Sequence, residues 1–570
     1  MTFISAPDKA CFANPANCLD IVVVKPTKMK FDDLLFSALG EFGKYQAIQF
    51  LLVCLPTMFT AMHSLSWTFT APEIHHRCRI AGEADNDSYF RSIPSNIIDK
   101  TNCSFVDKST CPFQNCRIEK LDTCPYGYIF DLPEGTYTAV NRWELVCGDS
   151  IWIAVIQGAY YAGQMAGSII FGTMGDKFGR KKVFLVAIGI QIVAGFLNPV
   201  VPTWYLYALM RFAVGFAHPG IFVIAVIIGM ELVGPSKRKL ASVVTGSFFA
   251  IGQIVLGVLA YYLRDYTHLQ AAIAAPTLLF LSYYWLVPES PRWLVSKKRY
   301  EDANKILKKA VKFNKSSSRS LPDKWWLELE DLDSPVEQAV PEKKYGYADL
   351  FKTPQMLRRS LVSFFMWPVV SMIYYGVAMK PDFLGGDIYV SFIFGGIMEL
   401  PALFIVYLTI DRLGRKPLLI GGYLICSCCM ILSLFLEGRP LHWGINLVLY
   451  AIVKGSITAV YASAYTFSPE LFPTVIRNSA MGLCSTFARI GAILASFISM
   501  YLVSRYGRIY MVAPFASCGF LAAFMIWFLL PETNGKPLAE TIDQIEKTNT
   551  FRQEAELTLL KKESPKKRNE

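Results

Sequence analysis

Gly172-Thr-Met-Gly-Asp176-Lys-Phe-Gly179-Arg180-Lys181 and, 235 residues further on, Asp411-Arg-Leu-Gly414-Arg415-Lys416 are two copies of one pattern. Two more pairs keep nearly the same distance. Glu231-x-x-x-Pro-x-x-Arg238 returns 239 residues on as Glu470-x-x-Pro-x-x-x-Arg477, and Pro288-Glu289-Ser290 returns 243 on as Pro531-Glu532-Thr533. A steady offset near 240 in a chain of 570 residues predicts two similar halves.

The stretches around these motifs say what the halves are made of. Apolar runs fall at 46–66, 151–173, 182–200, 204–228, 239–262 and 268–287, then at 359–379, 387–409, 417–437, 441–467, 478–503 and 508–530. Each suits the roughly 20 helical residues that cross a bilayer core. The chain is 53% hydrophobic and 18% charged, below the roughly 25% charge of soluble domains. The expected fold is an all-α polytopic membrane protein with about twelve transmembrane helices in two six-helix halves. Parallel halves related by an axis along the membrane normal describe the major facilitator fold. The net charge of +11 sits in loops such as 177–182 and 297–299. That placement is the positive-inside pattern, not a nucleic-acid footprint.

The expected organisation is a cytoplasmic N-terminus at 1–45, an N-terminal half at 46–288, a cytoplasmic central loop at 289–358, a C-terminal half at 359–530 and a cytoplasmic tail at 531–570. No cleavable signal peptide is visible, and an even helix count puts both termini on one side. The loop at 67–150 is then extracellular. It carries Cys78, Cys103, Cys111, Cys116, Cys124 and Cys147, read as disulfide staples with fifteen pairings open, and the sequons at Asn86 and Asn102. In the central loop, Tyr300 to Phe313 reads as an amphipathic helix with Ala303, Ile306, Leu307 and Ala310 on one face.

The repeated motifs suit electrostatic latches, with Asp176, Arg180, Glu231 and Arg238 in one half and Asp411, Arg415, Glu470 and Arg477 in the other. Such latches are expected to exchange partners as the gate opens and closes. Charges inside the spans are costly and mark function. Glu399, Lys454, Arg489 and His63 are the candidates. The offset of 239 aligns Arg489 with Ala250, an asymmetry that points to substrate work. Arg489 pairing structurally with Glu399 or with helix carbonyls, without touching substrate, is the competing expectation.

The chain resembles the organic ion transporters of the major facilitator superfamily, which include organic cation, carnitine and organic anion carriers. The resemblance covers nearly the whole chain. It is carried by Phe31-Asp-Asp-Leu-Leu, His75-His-Arg-Cys78, Trp143-Glu-Leu-Val-Cys147, Pro288-Glu-Ser-Pro-Arg-Trp293, Tyr374-Tyr-Gly376, Glu399-Leu-Pro401 and Glu470-Leu-Phe-Pro-Thr-Val-Ile-Arg-Asn478. The one departure, Asn141-Arg142 before Trp143, lies in the ectodomain. The resemblance implies an arginine at the position of Arg489 in carnitine and anion carriers, where cation carriers tend to have Asp. It implies a lysine like Lys454 in the same branches, and a Glu-x-Pro like that at Glu399 in cation and carnitine carriers. It also suggests the plasma membrane.

Trp367, Tyr374 and Tyr375, with Trp67 and Phe487, suit a cation–π cage. Gly376 is expected to break its helix locally. An acid, two basic residues and an aromatic lining together fit an amine-bearing or zwitterionic substrate of the carnitine or carcinine kind. The expected function is a secondary transporter working by alternating access, partnered by a small organic ion, the lipid bilayer and a coupling ion, sodium or proton, left open. No cofactor, metal site, catalytic residue or nucleic-acid partner is expected. An organic anion exchanger, supported by Arg489, Lys454 and His63, is the alternative within carriers. A receptor or scaffold without transport is the alternative outside them.

Overall fold

In the computed structural model the described residues are 31, 39–40, 42–78, 127–132, 136–232, 238–314, 324–327, 346–436, 443–536 and 538–546. The N-terminal half contains α1 (Lys44–Leu65, extended by Trp67–Thr70), α2 (Ile151–Phe178), α3 (Arg180–Leu197), α4 (Trp204–Leu232), α5 (Arg238–Tyr262) and α6 (Tyr266–Leu286). The C-terminal half contains α7 (Pro354–Met379), α8 (Ile388–Leu413), α9 (Arg415–Phe435), α10 (Trp443–Leu471), α11 (Arg477–Tyr506) and α12 (Ile509–Leu529). Ten of these are long and apolar enough to cross a membrane. The exceptions, α2 and α3, have local reasons. Buried Gln157 and Gln164 interrupt α2, and α3 opens on Arg180-Lys181-Lys182.

Small residues let the helices touch. A Cβ on Gly163 would lie 2.1 Å from the Phe212 carbonyl oxygen, so α2 and α4 meet backbone to backbone. Such approaches favour association in lipid, where little hydrophobic drive remains between helices. The halves meet along two seams, α5 against α8 and α2 against α11. The repeat offset converts each seam into the other, as a two-fold relation of the halves requires. α11 changes to a π-helical turn at Phe497–Leu502, a feature often found at functional sites.

The Tyr300–Phe313 helix forms as its pattern predicts, burying Ala303, Leu307 and Ala310. They pack with Leu39, Tyr45, Leu294 and Trp325 into a small separate core. Its C-terminal Asn314 accepts from the Tyr45 amide at 2.8 Å, tying this helix to the start of α1.

On the opposite side, β1 (His76–Cys78) pairs antiparallel with β2 (Tyr128–Phe130) at the base of the long loop. Cys147 is disulfide-bonded. The side chains of the other five cysteines, and both sequons at Asn86 and Asn102, lie outside the described residues. Across the halves, Lys380 after α7 pairs with Glu73 after α1 at 2.7 Å, and Ser504 also donates to Glu73 at 3.4 Å. A cavity of about 770 Å³ opens beside this tie, between the loop base and the end of α11. Burial works against the Lys380 charge, but Asp382 and Glu73 hold its ammonium above the ordinary lysine range. With Glu73 half exposed, the tie is worth at most about 1 kcal/mol. Lys380→Glu is therefore expected to raise labelling by a membrane-impermeant thiol reagent, at a cysteine placed in this cavity, by roughly two- to five-fold. Glu73→Lys combined with Lys380→Glu is expected to reverse most of that rise. Equal labelling in the single and double variants would remove the tie from the account.

Candidate functional site

The two conserved-offset motifs build matching networks. In the N-terminal half, Arg180 donates to Asp176 at 2.6 Å and reaches Glu231 at 3.4 Å. In the C-terminal half, Arg415 pairs with Asp411 at 3.0 Å and with Glu470 at 3.2 Å. The carboxylates of the third repeated motif complete them. Glu289 accepts from the Lys181 amide at 3.0 Å, and Glu532 accepts from the amides of Arg415 and Lys416 at 3.1 and 2.9 Å. Each glutamate thus caps the N-terminus of α3 or α9, where orphan donors and the helix dipole favour a negative charge. Burial works against the charge on Glu532. The amides of Asn534, Lys416, Arg415 and Thr533 nevertheless hold its carboxyl below the usual carboxylate range.

Gly179 and Gly414 make this geometry reachable. Their φ angles are +106° and +96°, and an added Cβ would lie 2.4 Å from Glu289 and 2.9 Å from Glu532. Gly414→Val is therefore expected to cut surface expression several-fold by biotinylation, whereas Gly421→Val, with open space around it, is expected to leave it near wild type. Equal expression of the two would contradict the capping role.

The ion pairs of Arg180 and Arg415 each join residues of one half. The reason is the register of the motifs: each arginine opens a helix whose nearest carboxylates end neighbouring helices of the same half. Arg477 bonds to the Phe472 carbonyl and Thr474, both at 3.3 Å. Arg238 opens α5, and its side chain lies outside the described residues.

At membrane depth the candidates sort into two groups. Glu399 on α8 and Lys454 on α10 form an ion pair at 2.8 Å, both almost wholly buried. The Tyr374 hydroxyl donates to both Glu399 oxygens at 3.0 and 3.1 Å. The Lys454 ammonium lies 3.8 Å from the centroid of the Tyr374 ring. Glu399 is thus occupied by Lys454, and the alternative pairing of Arg489 with Glu399 does not form.

Arg489 on α11 stands apart from that pair. It is 6% exposed, and no carboxylate lies within ion-pair reach of it among the described residues. Tyr375 on α7, with Tyr461 and Tyr465 on α10, are its electrostatic neighbours. Its charge is also felt by two residues of the N-terminal half, Tyr160 on α2 and His218 on α4. The rings form a chain: Trp367 to Tyr465 at 4.8 Å, Tyr465 to Tyr461 at 5.5 Å, Tyr461 to Tyr374 at 5.3 Å and Tyr374 to Tyr375 at 5.2 Å. Tyr375 meets Tyr161 of the other half at 4.9 Å. Tyrosine faces of this kind suit an organic cation.

Other expectations change. α7 runs unbroken past Gly376, because a Cβ there would lie 2.3 Å from the Phe515 ring; the glycine serves packing with α12. Phe487 stacks on Phe364 at 4.9 Å, and Trp67 packs on Tyr207 with its indole donating to the Ile153 carbonyl. His63 is fully buried with its ring against Gly195 of α3, not among the tyrosines. Arg211, unremarked in the sequence, is a third buried cation. It donates to the His63 carbonyl, Ser66 and Gln157, and lies 4.7 Å over the Tyr160 ring.

Residues 87–544 match the family described as Sugar (and other) transporter. The chain belongs to that family. It is 34% identical over 530 residues to the organic cation transporter protein of Drosophila melanogaster, covering 90% of this chain and 94% of that one. It is 30% identical over 546 residues to the organic cation/carnitine transporter 2 of Homo sapiens, covering 91% and 94%. The inward-open xylose transporter XylE of E. coli shares the fold with a TM-score of 0.55 at 16% identity, over 87% of this chain and 97% of that one. The resemblance to organic ion carriers stands, and the chain is a multi-pass membrane protein of a transporter family.

Proposed function

We propose that this chain is a secondary transporter of small organic cations and zwitterions, working by alternating access. The ammonium end of the substrate rests on the tyrosine faces of α7 and α10. Its carboxylate, where it has one, meets Arg489. The observation that carries this reading is the contrast between two buried cations beside one aromatic chain. Lys454 has its carboxylate in Glu399, whereas Arg489 has none among the described residues. A buried guanidinium without a counter-charge is a standing demand for an anionic group. A carnitine-like zwitterion meets both features. The names of the relatives support the amine-bearing class.

A substrate of net charge +1 gains about 2.3 kcal/mol per 100 mV of inside-negative potential, while a zwitterion gains no such net drive and needs a coupled ion or its own gradient. The plasma membrane, with both termini cytoplasmic and the 67–150 loop glycosylated outside, suits the basic residues at 177–182. A second reading, an organic anion exchanger, is favoured by the same Glu399–Lys454 pair, which leaves Arg489 as the uncompensated charge.

Uptake of labelled tetraethylammonium, carnitine and benzoate into expressing cells, with and without sodium, separates the readings. Uptake of the cation or carnitine with benzoate ignored is the expected result. Uptake of benzoate alone would replace the proposal with the exchanger.

A further inference from the structure

The charged groups of the site, Glu399, Lys454 and Arg489, all belong to the C-terminal half. A carrier that alternates between its two faces holds its substrate between both halves, so the N-terminal half must offer contacts of its own. His218 on α4 is buried, and the Tyr160 hydroxyl, 3.0 Å from Nδ1, is its one hydrogen-bond partner among the described residues. The second ring nitrogen has no such partner, so its hydrogen-bonding capacity is left for another group. The rings of Phe222 and Phe249 flank the imidazole at 5.9 and 6.3 Å.

The orientation of this histidine is fixed from behind. Arg211 lies 4.7 Å over the Tyr160 ring and is itself held by the His63 carbonyl, Ser66 and Gln157. Tyr160 is thereby aimed at Nδ1. A neutral imidazole that accepts at one nitrogen donates at the other.

We propose that His218 is a substrate contact from the N-terminal half, its Nδ1 accepting from Tyr160 and its Nε2–H donating to the same anionic group that Arg489 receives. The inference rests on the reading of Arg489 as an anion-receiving group. It assigns Arg211 and Tyr160 as positioning residues and His218 as a determinant of preference for carboxylate-bearing over simple ammonium substrates. Binding the carboxylate would then join α4 of one half to α11 of the other.

The amide of a glutamine reaches the place of Nε2, and that of an asparagine the place of Nδ1. His218→Phe and His218→Asn are expected to raise KM for carnitine about tenfold, the usual scale for losing a hydrogen bond to a charged group. Tetraethylammonium KM is expected to move less than about twofold, and His218→Gln to restore carnitine to within about threefold of wild type. Parallel losses for both probes, with Gln no better than Asn, would reduce His218 to a packing residue and overturn the proposal. Thermal stabilisation of the purified chain by carnitine and by benzoate gives a second readout that needs no transport. Loss of that stabilisation in His218→Phe supports the contact even if wild-type cells take up nothing, in which case only the carrier reading fails. Wild-type uptake of tetraethylammonium without stabilisation by either carboxylate would leave the carrier reading standing and overturn the contact.

Discussion

Glu399→Ala protein is expected to accumulate poorly and to unfold at a markedly lower temperature, with uptake of every substrate lost. The cause is Lys454, which is fully buried and pairs with Glu399 at 2.8 Å. Removing one partner of a buried ion pair strands the other charge and costs about 3–5 kcal/mol. Glu399→Gln combined with Lys454→Met removes both charges and is expected to recover most of the thermal midpoint of the detergent-solubilised protein, because a well-packed apolar replacement is often neutral. Transport is not expected to return with it. The Tyr374 hydroxyl loses its carboxylate partner, and Lys454 no longer lies on the Tyr374 ring. A single variant as stable as wild type would show that Lys454 has another counter-charge.

Arg489→Ala is expected to behave in the opposite way. No carboxylate is stranded by the change, so expression and thermal midpoint are expected to stay near wild type. Uptake of carnitine is expected to fall by a factor of roughly 100 in kcat/KM, the loss of a charge-assisted, two-point contact in a dry site. Arg489→Lys is expected to recover little, since an ammonium cannot reproduce the planar fork of the guanidinium. Uptake of tetraethylammonium is expected to persist. Radiolabel uptake normalised to surface protein reads both variants. A drop shared equally by carnitine and tetraethylammonium would place Arg489 in the scaffold.

The repeated motifs made the two halves legible from the sequence, because a cap, its glycine and its arginine must recur wherever the same helix corner recurs. Ten of the twelve helices were equally plain from apolar length, and the other two were read despite Gln157, Gln164 and the Arg180-Lys181-Lys182 start. Glu399, Lys454 and Arg489 stood out because charge is rare at membrane depth. Their partners did not, since the pairing of α8 with α10 is a matter of packing and not of local pattern. Two signals were present in the sequence and passed over. Lys454, Tyr461 and Tyr465 follow at intervals of seven and four, one face of α10, and Arg211 and His218 are seven apart on α4. The Glu73–Lys380 tie joins residues 307 apart, and nothing near either residue announces it.

Counterflow with the purified chain in sealed liposomes tests alternating access most directly. Liposomes preloaded with unlabelled carnitine are diluted into a trace of labelled carnitine, with no ion gradient and no membrane potential. A carrier with one site exposed to either side exchanges label for load, so the label is expected to rise transiently above its equilibrium level and then decay, with Arg489→Ala flat. A flat trace for the wild type, with benzoate counterflow flat as well and the protein shown to be folded, would contradict the carrier account and favour a membrane protein that keeps this fold without transport.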